Sequence, residues 1–146
     1  MEQTLVIVKP DAVARGVVGE IIRRFEAEQL IIRGLKMVVL EQKEAEGFYQ
    51  VHRDRPFFES LTHFMASGPC VAMVLEGGGA IQRVRRLMGA TDPLNAAEGT
   101  LRRDFATSIE KNVVHGSDSA ESAAFEIPYF FSQMELLSTA ERGEPA

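Results

Sequence analysis

Short apolar runs alternate with amphipathic helical patterns in the order strand, helix, strand, helices, strand, helix, strand, helix. That order contains a βαββαβ unit and predicts an α+β fold: a ferredoxin-like sandwich, with a four-stranded antiparallel sheet and helices packed on it. Two further observations predict one domain over 1–146. The length of 146 residues suits one compact core. No internal repeat or linker interrupts the chain.

Residues 4–9 read as a buried strand, β-branched and apolar, stopped by Pro10. A mostly polar stretch, 11–16, follows. Val18, Ile21, Ile22 and Phe25 then fall at i, i+3, i+4 and i+7, one face of a helix. Residues 31–40 read as a second strand, with Gly34 as a candidate bulge. Residues 44–51 look helical. Pro56 opens a further helical piece whose apolar positions are Phe57, Phe58, Leu61, Phe64 and Met65. Ser67-Gly68-Pro69 marks a turn before a third strand, 70–75. Gly77-Gly78-Gly79 leads into a helix holding Ile81, Val84, Leu87 and Met88. A loop rich in Gly, Pro, Asn and Asp covers 89–99. Residues 112–115 contain a short apolar segment, the fourth strand. Asp118, with Glu121 three residues on, matches a capping box and opens a helix through Ala123, Ala124 and Ile127. Pro128 inside that helix predicts a kink or a restart. The polar tail, 138–146, is expected to be mobile.

Charge and composition exclude several classes. A net charge of −5 argues against a non-specific nucleic-acid binder, although a local arginine cluster still binds phosphate. An RNA-recognition version of the fold needs aromatics on its central strands. Neither Leu5-Val6-Ile7-Val8 nor the run from Cys70 supplies them. The single Cys70 forms no internal disulfide, so a reducing compartment fits. No basic-then-apolar leader stands before Leu5, and no apolar run approaches the roughly 18 to 20 residues of a membrane span. These features predict a soluble, cytoplasmic protein without membrane or specific nucleic-acid partners.

Several familiar motifs are absent. There is no G-x-x-x-x-G-K-[ST] and no G-x-G-x-x-G. His52-Arg53-Asp54 imitates a kinase catalytic loop, but Glu59 stands where that loop needs Asn. His52, His63 and His115 lack metal-ligand spacing, so no protein-held metal is expected. The informative stretch is Asn112-Val113-Val114-His115-Gly116-Ser117-Asp118-Ser119. It sets a histidine at the end of a short strand, just before a helix N-terminus, where phosphate is favoured. A neutral imidazole with one nitrogen held as donor is a competent nucleophile towards phosphorus. On spacing alone, a histidine merely satisfied at a strand end fits equally well. Ser117 and Asp118 read equally as capping residues.

The stretch Asn-x-x-His-Gly-Ser-Asp-Ser resembles the active-site signature of nucleoside diphosphate kinases. The likeness extends in order to Lys9-Pro10-Asp11, Arg15-Gly16, Val18-Gly19-Glu20-Ile21, Arg55-Pro56-Phe57-Phe58, Ser67-Gly68-Pro69, Val71-Ala72-Met73 and Gly99-Thr100-Leu101-Arg102. It covers about residues 4–137. Taken singly, Phe57 reads as core, Arg85 as a solvated helix arginine, Lys9 as a strand-end charge and Tyr49 as packing; the ordered set favours a site.

The resemblance implies a phosphotransferase. His115 would take the γ-phosphoryl group of a nucleoside triphosphate, typically ATP, and yield it to a nucleoside diphosphate by a ping-pong route, maintaining NTP and dNTP pools. Glu126 would hold the non-reacting imidazole nitrogen, and Ser117 would support that carboxylate. Lys9, Tyr49, Arg85, Thr91, Arg102 and Asn112 would contact nucleotide, with Arg55 and His52 as further phosphate contacts. Phe57 would stack on the base and Ile109 would lie on its other face. Stacking accepts every base, so broad base tolerance is expected. Mg²⁺ would arrive on the nucleotide phosphates rather than in a protein cage. The family forms homo-oligomers, so a tetramer or hexamer is expected.

Overall fold

The computed structural model describes residues 1–143. Four strands, β1 (Glu2–Val8), β2 (Ile31–Val38), β3 (Cys70–Gly77) and β4 (Val114–Gly116), form one sheet in the order β2-β3-β1-β4. All three pairings are antiparallel, so the predicted ferredoxin-like sandwich is observed. β1 is central and its residues from Leu5 to Val8 are fully buried. The reason is that both sheet faces are covered. Val6 and Val8 meet Ile21 and Phe25 of α2 (Val18–Ala27) and Val84 and Met88 of α5 (Ala80–Met88). Leu5 and Ile7 meet Phe48 of α3 (Gln42–Phe48), Met65 of α4 (Phe58–Met65) and Phe130 of α7 (Ala120–Phe130). A strand buried on both faces reads as a continuous apolar run rather than an alternating one. Gly34 marks the expected bulge: the β2–β3 register shifts between Ile32 and Gly34.

Four local expectations are corrected. The polar stretch 11–16 begins with a short helix, α1 (Pro10–Ala14), which Pro10 opens from its first position. Likewise α6 (Leu101–Phe105) follows the long loop, with the Thr100 hydroxyl accepting from the Arg103 N–H at 3.3 Å. Five-residue helices are too short to show a repeating apolar face. The fourth strand is Val114–Gly116, because Val113 takes φ +66° and turns the chain before the strand starts. The capping box of α7 is Ser119 with Ser122, not Asp118 with Glu121. There the Ser119 hydroxyl accepts from the Ser122 N–H and the Ser122 hydroxyl from the Ser119 N–H, each at 3.0 Å.

Pro128 neither breaks nor restarts α7, which runs on to Phe130. The proline removes a donor to the Ala124 carbonyl, but both residues are exposed, where solvent is available to that carbonyl. The segment from Ser138 turns back on itself, with the Arg142 N–H donating to the Ser138 carbonyl. The part of the tail at 144–146 lies outside the described residues.

Gly89 ends α5 at φ +86°, and its carbonyl accepts from Arg102 Nη1 at 3.1 Å. A Cβ there would sit 2.7 Å from Thr100 Cβ. Gly89→Ala therefore combines a positive-φ cost with overpacking and is expected to lose about 2–4 kcal/mol in denaturant unfolding.

Candidate active site

The register of β1 against β4 sets the centre of the site. His115 pairs with Ile7 and so shares the sheet face covered by α3, α4 and α7. There Phe48 and Tyr49 pack edge-on with the imidazole, their ring centroids 5.2 Å and 5.8 Å from its own. The chain after β4 stays on β1, with the Ser117 N–H donating to the Leu5 carbonyl at 3.0 Å and the Leu5 N–H to Ser117 Oγ at 3.2 Å. With that oxygen fixed, the Ser117 hydroxyl donates to Glu126 Oε1 at 2.8 Å. The same carboxylate oxygen lies 2.9 Å from His115 Nε2. Glu126 comes from the middle of α7 and is mostly buried. An ionised carboxylate only accepts, so it holds Nε2 as the N–H and leaves Nδ1 with a lone pair.

A cleft of about 1100 Å³ opens in front of this histidine. Lys9, at the end of β1, points into it. Its Nζ donates to Asn112 Oδ1 at 2.7 Å, and Asn112 Nδ2 donates to the Thr91 carbonyl at 3.1 Å. Arg102 donates to the carbonyls of Gly89, Asn112 and Val114. A guanidinium carries five N–H donors, so donor capacity remains for a further ligand. Arg85 Nη1 donates to the Gly116 carbonyl at 3.3 Å. The neighbouring Arg103 is directed elsewhere, to the Ala96 carbonyl. Gly116 has a packing role: a Cβ there would meet Met88 Sδ at 2.6 Å.

Between Lys9 and His115 the backbone makes an unusual turn. Val113 is β-branched and buried, yet has φ +66°. The Val114 N–H closes back on the Asn112 carbonyl at 2.8 Å. This is a three-residue turn of the rare, strained kind, and such a backbone costs about 1–3 kcal/mol unless its surroundings hold it.

The electrostatics are those of a cleft built for an anion. Burial pushes the Lys9 ammonium down from its ordinary value to about 8, and the Arg102 charge pushes the same way. Burial, then Arg85, pulls Arg102 down to about 10. Like charges gathered out of water destabilise one another until an anion joins them. Tyr49 lies on the cleft wall with a buried hydroxyl that has no hydrogen-bond partner among the described residues. Its pKa is raised by burial, then by Glu126, so it stays a neutral donor. The Ser122 hydroxyl holds the Asp118 carboxyl below the usual range.

Of the sequence-predicted residues, Thr91, Phe57, His52 and Ile109 also line the cleft. Phe57 is 46% exposed, so the core reading of that ring fails. The His52 ring lies 5.5 Å from it. Ser117 stands behind Glu126 rather than on the wall. Arg55 is exposed and the structure does not bring it to the cleft wall. Sequence reasoning gave no role to Phe48, which packs on the imidazole, nor to Ser119 and Ser122 at the open end of α7. The Asn-x-x-His-Gly-Ser-Asp-Ser stretch contained the first serine, but only the fold shows the rim it joins. Among the described residues no cluster of three or more His, Cys, Asp or Glu could hold a metal. No helix among them is long and apolar enough to cross a membrane.

Comparison with known proteins shows the family of the chain. A family model described as nucleoside diphosphate kinase matches residues 2–136. A nucleoside diphosphate kinase of Desulfosudis oleivorans is 64% identical over 137 residues, covering 94% of this chain and 99% of the relative. That of Desulforapulum autotrophicum is 61% identical with the same coverage. Among solved structures, the Aquifex aeolicus nucleoside diphosphate kinase superposes with a TM-score of 0.92 at 49% identity, over 93% of this chain and 99% of that one. A halophilic nucleoside diphosphate kinase from Halobacterium salinarum, solved in complex with CDP, gives 0.91 at 43% identity, over 94% and 91%.

Sulfate keeps its charge across the alkaline range and so reports on the protein's own protons. An anion beside Lys9 raises its pKa, so sulfate binding near pH 8 should draw a proton onto the protein. Calorimetry in buffers of different ionisation heat is expected to show that uptake in the wild type and not in Lys9→Met.

Proposed function

Because the chain belongs to the nucleoside diphosphate kinase family of phosphotransferases, we propose that it passes a terminal phosphoryl group between nucleotides through Nδ1 of His115. The observation that carries this reading is the Ser117–Glu126–His115 chain of hydrogen bonds. It engages Nε2 and leaves Nδ1 as the nucleophile. The Nδ1 lone pair attacks the γ-phosphorus of a nucleoside triphosphate, typically ATP. The bond from that phosphorus to the β-phosphate oxygen breaks, and the diphosphate leaves with the electron pair. As charge builds on the imidazole, the Nε2 proton stays hydrogen-bonded to Glu126, whose charge stabilises it. A second nucleoside diphosphate then attacks the phosphohistidine through a terminal oxygen, and the N–P electrons return to Nδ1. The route is ping-pong.

Phosphoryl transfer needs positioning and charge neutralisation. Lys9, Arg53, Arg85 and Arg102 are the cations that line the cleft, and Asn112 aligns the Lys9 ammonium. The orphaned Tyr49 hydroxyl is a donor left for an incoming group. Thr91 and His52, which also line the cleft, support the phosphates; Arg55 would have to move to join them. Phe57 and Ile109 are exposed apolar groups that line the cleft, suited to the two faces of a base. The cleft offers cations and scattered single carboxylates rather than a carboxylate cage, which supports Mg²⁺ entering on the nucleotide. Bound there, the ion neutralises phosphate charge.

The same reading takes the protein to be cytoplasmic, to maintain NTP and dNTP pools, and to work as a homo-oligomer, tetramer or hexamer. The oligomer is supported by β2, an outer strand that exposes Leu35 and Met37, followed by exposed Val39. A second copy of the chain is its fitting cover.

Incubation with γ-labelled ATP and Mg²⁺ is expected to leave label that acid removes and alkali spares. No label on the wild type, or undiminished label on His115→Ala, overturns the mechanism. Phe57→Ala should weaken binding of every nucleotide by a similar amount, about 1–3 kcal/mol. Titration with purine and pyrimidine diphosphates checks this, and a loss confined to one base contradicts stacking.

A further inference from the structure

Resting on the phosphotransfer reading, we propose that Asp11 is a positioning residue for the reaction: its carboxylate latches the strained turn at Val113, which holds Asn112 and His115 in place. A branched side chain at positive φ crowds the following backbone. The turn at Val113 relaxes unless both of its polar groups are gripped. The Val113 carbonyl accepts from the Lys9 N–H at 2.8 Å. The Val113 N–H donates to Asp11 Oδ2 at 3.2 Å. The first grip is backbone and survives substitution. The second is a side chain alone.

Rotation of the peptide between Asn112 and Val113 would release the Asn112 carbonyl from Arg102 Nε and the Asn112 side chain from Lys9. It would also shift the start of β4, and His115 lies one residue into that strand. Asp11 therefore reaches both sides of the cleft through one bond.

The carboxylate is placed for more than helix capping. Asp11 lies in the first turn of α1, yet the N-cap of that helix has no side-chain bond. The Asp11 side chain instead crosses to Val113. Its Oδ1 is buried without a hydrogen-bond partner among the described residues. Through space, the Asp11 charge favours the protonated form of Lys9. The groups facing Lys9 are Arg102, which opposes its charge, and Asp11 and Glu110, which favour it.

The test compares wild type, Asp11→Asn, Asp11→Ala and Asp11→Ala with Val113→Gly, all at a temperature where circular dichroism shows each folded. The rate of label uptake from γ-labelled ATP and Mg²⁺ is followed across pH. Asparagine keeps the acceptor for Val113 and loses the charge. Its rate at pH 7 should stay within about threefold of wild type, while its alkaline fall moves to lower pH. Alanine loses both functions and should slow uptake at least about tenfold. Glycine at 113 takes positive φ without strain, so the double variant should regain most of the rate at pH 7 while its alkaline fall stays displaced. A residue that only stabilised α1 would move neither the pH profile nor respond to Val113→Gly. A wild-type rate and profile in Asp11→Ala overturns the proposal, as does a double variant no faster than Asp11→Ala. Should Asp11→Ala not fold, an unshifted profile in Asp11→Asn overturns the charge role. Failure of the wild type to take label overturns the transfer reading itself; label that depends on His115 but ignores Asp11 overturns this proposal alone.

Discussion

The pairing of β1 with the three-residue β4 is the constraint on which the site depends. Lys9 ends the first strand, His115 sits on the second, and the register Ile7 to His115 sets the distance between them. Two further rungs lock that register, Lys9 to Val113 at one end and Leu5 to Ser117 at the other. The second rung also orients the Ser117 hydroxyl that meets Glu126. A one-residue slip would send His115 to the other sheet face, among Val84 and Met88, and away from its carboxylate. The apolar burial of β1 on both faces is what makes such a slip costly.

On this frame the chain places buried cations in a protein whose net charge is negative. Arg102 makes Lys9 harder to protonate and Arg85 does the same to Arg102, and both Lys9 and Arg102 are almost completely buried. Such a cluster is unfavourable alone and favourable around phosphate. Its polar bonds go to neutral carbonyls and an amide, which orient the cations without cancelling their charge. The aromatic and aliphatic groups at the rim, Phe57 and Ile109, are exposed for a different reason: a planar partner covers them without requiring any particular hydrogen bond.

Much of the fold was legible in the sequence because its strands and long helices have strong periodicity. Val18, Ile21, Ile22 and Phe25 announce α2, and the apolar run before Pro10 announces β1. The short elements were not legible. α1 and α6 contain five residues each, too few for a repeat, although Pro10 and Thr100 are their start signals. The capping pair of α7 was displaced by one residue because Asp and Ser are both good caps, and only the chain path selects Ser119. For the site, Asn112, His115 and Ser117 stood together in one stretch. Glu126 was reachable only through family likeness, since nothing local distinguishes a carboxylate on a helix that faces an imidazole from one that faces water.

The sequence by itself determined the order of the strands and longer helices, the histidine on a short strand and the supply of arginines, because these follow from local periodicity and residue chemistry. Tertiary structure alone decided which arginine meets the cleft, since Arg102 and Arg103 diverge from neighbouring positions on one helical turn. It decided that Phe57 is exposed while Phe48 is buried against the imidazole. It also decided that Val113, a residue with every local reason to be extended, turns through positive φ. The physical reason is the same in each case. Direction and backbone strain are set by partners outside the local pattern, about a hundred positions away for Val113 and Asn112, and those partners meet only once the chain has folded.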